Sequence, residues 1–147
     1  MQNELWRWSA VDLARGIATR QISSRDAVQA SLDRMGTVNP ALNAVVEVLA
    51  DEALSAADTA DAAVKAGAEL GPLHGVPVTI KVNVDQRGCA TTNGVVDFRN
   101  VIATEDSPVV ANLRKAGAVI VGRTNTPALS HRWFTSNDLH GMPLNPW

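Results

Sequence analysis

The chain has 147 residues, 46% hydrophobic and 19% charged, which is enough apolar material for a packed core in one domain and argues against disorder. Thirteen Lys and Arg against fifteen Asp and Glu leave a net charge of −2 with no basic run, so the sequence argues against nucleic-acid binding. The single cysteine, Cys89, excludes an intrachain disulfide and a cysteine-rich zinc site, and it suits a reducing cytoplasm.

Residues 9–20 read as a first helix, capped by Ser9, with Val11, Ala14, Ile17 and Ala18 on its inner side. A second helix starts near Ser23 or Ser24 and carries Val28, Leu32 and Met35 inward until Asn39-Pro40 closes it. Residues 43–49, NAVVEVL, are β-branched and predict a strand. The alanine-rich stretch 51–66 predicts a helix with a narrow stripe of Ala53, Ala57, Ala60 and Val64, ended by Gly67.

The pattern then changes to period two. Val76, Val78, Ile80, Val82 and Val84 alternate with Pro77, Thr79, Lys81, Asn83 and Asp85, and Pro77 belongs near the strand's start or on an edge. Gly88 and Asn93-Gly94 mark turns. Ser107-Pro108 reads as an N-cap and first helical position, with Val109, Val110, Leu113 and Ala116 inward and Gly117 as the stop. Ala118 to Gly122 is a short apolar run of the kind buried on both faces of a sheet. Strand, helix, strand predicts a right-handed crossover and a parallel pair. The fold class is α/β in one domain spanning 1–147, mainly helical over 1–70 and α/β over 71–147. No apolar stretch approaches the ~18 residues of a membrane span, and the opening segment lacks the pattern of a secretory signal.

Lys81 admits two readings. A lysine on the polar face of a strand is ordinarily solvated, whereas a desolvated, neutral amine held by a stiff strand is a general base. His74, His131 and His140 have no helical metal spacing, so no metal site is predicted. Cys89 reads as a small buried hydrophobe, and Trp6, Trp8, Trp133 and Phe134 read as core or interface packing residues before a ligand platform. No G-x-S-x-G elbow, phosphate loop or dinucleotide fingerprint occurs.

PLHGVPVTIKVNVD at 72–85, ATTNG at 90–94, SPVVANLRKAGAVIVGRTNTPAL at 107–129 and NDLHGMPLNPW at 137–147 together resemble the amidase signature family. The resemblance implies N-terminal helices followed by part of a mixed β-sheet flanked by helices, a fold truncated here. It also implies hydrolysis of an amide to an acid and ammonia or an amine, without metal or organic cofactor, by a Ser–cis-Ser–Lys triad. Lys81 ends the L-x-G-x-P-x-x-x-K motif and is the implied catalytic base. Val82 stands where many members have Asp. The family's Gly-Gly-Ser-Ser-Gly-Gly loop and its nucleophile follow the Asn-Pro-Trp-like segment, so neither serine is within the sequence. The expectation is an N-terminal portion of an amidase, cytoplasmic and silent alone. Its implied partner is a small amide, with no nucleic acid and no membrane. A homo-oligomer, a complementing C-terminal polypeptide and a non-catalytic assembly module remain open.

Overall fold

The computed structural model describes residues 2–147. A 3-10 helix, Gln2–Arg7, precedes α1 (Ala10–Ala18), α2 (Ser24–Leu42), β1 (Val45–Val48), α3 (Ala50–Ala66), β2 (Pro77–Lys81), α4 (Pro108–Lys115) and β3 (Val119–Thr124). The strands form one sheet in the order β1-β3-β2, with β1 antiparallel to β3. Val119 N donates to Val76 O at 2.9 Å and Val82 N to Thr124 O at 3.0 Å, so β2 and β3 run parallel, as the strand–helix–strand pattern predicts.

The chain forms two compact units. The first comprises Met1–Gly36, Leu49–Val78 and Asn112–Val121, and the second Thr37–Val48, Thr79–Ala111 and Gly122–Trp147.

The first unit has an apolar interior. Leu5, Leu13, Ile17, Ala27, Ala30, Val64 and Val76 make one cluster, and Val28, Ala53, Ala57, Val119 and Val121 another. The predicted stripe of α3 is the buried one: Ala53, Ala57, Ala60 and Val64 face inward, and Gly67 ends the helix at φ +70°. Small side chains let α3 approach α2 and the start of β3 closely. Ser9 caps α1 by accepting from Asp12 N at 3.1 Å. The inner face of α1 is displaced from the predicted one, however. Leu13, Gly16 and Ile17 are buried, whereas Val11 is 65% exposed. Ala18, also expected inward, is exposed as well.

A second correction concerns Pro40, which lies inside α2 rather than closing it. Proline there gives up its amide bond and crowds the carbonyl one turn back, a cost confined to the end of the helix because only two residues follow. The Asn39 side chain also secures the exit, accepting from Ala44 N and Val45 N at 2.9 and 2.8 Å and donating to Val45 O at 2.7 Å.

The glycine of L-x-G-V-P is required by the backbone. Gly75 has φ +74°, and a Cβ there would stand 2.8 Å from the Ser24 side chain. Ser24 Oγ donates to Gly75 O at 2.8 Å, so the motif is locked against the start of α2. Pro77 then opens β2, where its missing amide costs least.

The second unit is polar inside. Of the seven buried polar or charged residues among those described, six lie here: Gln86, Thr92, Arg123, Asn125, Thr126 and Asn137. Ser107 caps α4 as expected, accepting from Val110 N at 3.4 Å, but Val109 is 60% exposed and Val110 alone is buried. β3 is buried on both faces, as read, and runs two residues past the apolar run to include Arg123 and Thr124. Among the described residues, no helix is long and apolar enough to cross a membrane.

Candidate functional site

Lys81 is the last residue of β2 and is exposed. The alternation predicted through Val84 stops there, because Val84 N donates to Lys81 O at 3.0 Å and turns the chain. Up to that point the period holds: Val76, Ile80 and Val82 are buried, and Thr79 shares Lys81's exposed face. The amine thus sits at the carboxyl end of a parallel strand pair, the edge where open α/β sheets bind ligands.

The loops that follow β2 and β3 are joined by side chains within the second unit. Asn83 Nδ2 donates to Ser130 Oγ at 2.8 Å, and Ser130 Oγ shares a hydrogen bond with Thr126 Oγ1 at 3.0 Å. Asn137 Nδ2 donates to Asn125 Oδ1 at 2.8 Å and to Thr126 O at 2.7 Å. Beside this network lies a cavity of about 330 Å³, lined among others by Gly94, Asp97, Arg132 and Ser136.

Arg123, which sequence reading missed, is fully buried in β3. Its guanidinium donates from Nη1 to Ala90 O at 2.6 Å and from Nη2 to Val84 O at 2.9 Å, with Glu47 Oε2 3.5 Å from Nη1. It fastens both ends of the loop after Lys81. A register shift in β1 between Val45 and Glu47 sets Glu47 directly opposite Arg123. A charge at the end of an apolar strand flanked by Gly122 was the available signal.

His140 is built into the same unit. Its Nε2 lies 3.2 Å from Thr92 Oγ1, its amide donates to Asn137 Oδ1 at 2.6 Å, and its carbonyl accepts from Asn43 Nδ2 at 2.6 Å. Burial holds its pKa below 6.5, with Glu47 pulling upward and Arg123 pushing downward. The unfolded chain therefore takes up the proton first on acidification. Stability is full above about pH 6.5 and falls as the pH drops from there through the lowered folded value. Urea unfolding at pH 7.5 and 5.5 checks this: the stability loss at pH 5.5 is expected to shrink in His140→Gln.

The other candidates lie apart. His74 Nε2 is 3.0 Å from Ala60 O, and His131 is exposed. Cys89 is buried at 9% exposure, in keeping with the small-hydrophobe reading. Trp8 packs on the first unit's core, and Trp6 lies under the guanidinium groups of Arg7 and Arg34 at 4.7 and 4.3 Å. Trp133 and Phe134 are exposed, which rules out the core half of their packing reading and leaves the interface half. Among the described residues, no three His, Cys, Asp or Glu side chains are grouped to hold a metal ion.

A family model described as Amidase matches residues 26–147. An indoleacetamide hydrolase of Bradyrhizobium diazoefficiens is 56% identical over 143 residues, covering 97% of this chain and 27% of that protein. An acylamidase of Rhodococcus erythropolis is 38% identical over 146 residues, covering 99% of this chain and 30% of that protein. The crystal structure of a bacterial aryl acylamidase of the amidase signature enzymes superposes with a TM-score of 0.90 at 27% identity, covering 95% of this chain and 29% of that one. The chain spans less than a third of the length of each of these relatives.

Proposed function

The chain belongs to the amidase signature family, and from that premise we propose that it is the N-terminal part of one amide-hydrolase domain in which Lys81 is the general base. The observation that carries the reading is the position of Lys81. It ends the L-x-G-V-P-V-x-I-K stretch at the carboxyl end of β2, inside a region matched throughout to amidases. In the proposed reaction, the neutral Lys81 amine takes a proton from a bridging serine as that serine takes one from the nucleophile. The nucleophile's oxygen adds to the amide carbonyl, and the C–N bond breaks as nitrogen regains the proton. Ammonia or an amine departs, and water cleaves the acyl ester to the acid. A reducing cytoplasm is the proposed setting, supported by the single buried Cys89.

Two ingredients lie outside these 147 residues. No Gly-Gly-Ser-Ser-Gly-Gly stretch occurs in the sequence, and the exposed Lys81 has no cover that excludes water. Of the serines present, Ser107 caps α4 and Ser130 is engaged with Asn83 and Thr126. The isolated chain is therefore expected to release no ammonia above background from indole-3-acetamide, benzamide or glutamine. Turnover that disappears in Lys81→Ala would overturn that expectation.

A second reading, a non-catalytic assembly module, is favoured by one feature. Leu129, Trp133, Phe134, Met142, Leu144 and Trp147 are all exposed within the second unit. Apolar exposure on that scale ordinarily marks a protein interface.

A further inference from the structure

Five non-glycine residues among those described have φ in the left-handed region: Arg20, Asn43, Asn93, Leu129 and Ser130. Three of them meet in the loops beyond β2 and β3. Leu129 N donates to Asn93 O at 2.8 Å, and Asn93 N reaches Val82 O at 3.4 Å. Leu129 and Ser130 stand in succession at φ +53° and +58°. Such backbone persists only where its surroundings over-determine it, and it gathers at functional sites.

A second anomaly falls on the same spot. Asn83 Oδ1 is buried without a hydrogen-bond partner, while Nδ2 is tied to Ser130. Turning the amide over would exchange the tied and untied ends without adding a bond, since a hydroxyl both donates and accepts. If the role were packing alone, glycine at 130 and an apolar residue at 83 would serve better. Instead, strained backbone and an unsatisfied amide converge on one hydrogen bond, two residues beyond Lys81. Asn83 lies inside the turn closed by Val84 N on Lys81 O. Fixing its side chain fixes that turn, and with it the direction in which Lys81 leaves the sheet. The anchor is itself fixed: Ser130 Oγ meets the hydroxyl of Thr126, which is fully buried.

Resting on the reading of Lys81 as the base, we propose that Asn83 and Ser130 are positioning residues for Lys81, acting through the Lys81–Val84 turn. Neither touches substrate. The test follows amide hydrogen exchange and Lys81 side-chain 13Cε relaxation in the 147-residue chain and in Asn83→Ala and Ser130→Gly. Both variants are expected to speed exchange at the Val84 amide at least about ten-fold and to lower the order of Lys81 Cε. Exchange at Val28 and Ala57, in the first unit's core, is expected to stay unchanged.

Ser130→Gly is the sharper variant. It relieves left-handed strain, so its thermal midpoint should hold or rise while Lys81 loosens. Unchanged Val84 exchange and Lys81 order in both variants would overturn the proposal. So would exchange that rises equally at Val28 and Val84, which marks a general loss of stability. Neither result bears on the amidase reading, which is decided separately by ammonia release from a protein that supplies the serines.

Discussion

Arg123→Ala is expected to lower the unfolding free energy by about 3–5 kcal/mol, the largest stability loss of any single substitution in the second unit. The side chain is fully buried, so its removal opens a cavity. It also strips Ala90 O and Val84 O of their donors, and a buried carbonyl left unpaired costs about 1–3 kcal/mol. The Glu47 pairing matters less, because that side chain is 42% exposed and solvent screens it. Arg123→Met refills most of the volume without restoring either donor, so it should recover part of the loss. Arg123→Lys keeps the charge but has no planar fork to reach two carbonyls, and should fall between the two. Urea unfolding followed by circular dichroism gives the comparison. An alanine variant within about 0.5 kcal/mol of the parent, the range of an ordinary surface change, would show that the guanidinium does not hold the loop.

The second large effect is on catalysis. In a graft joining residues 1–147 to the downstream part of the Bradyrhizobium indoleacetamide hydrolase, Lys81→Ala is expected to cut turnover about 10²–10⁴-fold, the span of a lost general base. Lys81→Arg should be as damaging, since a guanidinium stays protonated and cannot accept a proton. Neither change should unfold the protein, because Lys81 is exposed at a strand end. A graft retaining most of its activity in Lys81→Ala would remove lysine from the mechanism.

Much of this arrangement is legible in the residues. The α3 stripe, the Ser9 and Ser107 caps, Pro77 at a strand start and the parallel pair all follow from local rules, and the structure carries each of them. The misreadings have physical causes. Val11 and Val109 are apolar yet exposed because tertiary packing and not residue type selects the buried face, and Pro40 continues α2 to its end with the Asn39 side chain securing the exit.

The candidate site was legible as a position and not as an environment. The alternation and the motif pick out Lys81, but the strand's stop at Lys81 depends on a turn that a row of valines conceals. Arg123 follows an apolar run and pairs with Glu47 only through a register shift, which period-two reading cannot detect. The Asn83–Ser130 bond spans 47 residues, and no local pattern encodes a contact of that range.

Ammonia release from indole-3-acetamide by the unmutated graft decides whether residues 1–147 are the lysine-bearing part of an amide hydrolase. Turnover is expected from the graft and none from residues 1–147 alone. A graft that folds, contains both downstream serines and still releases no ammonia would contradict that expectation.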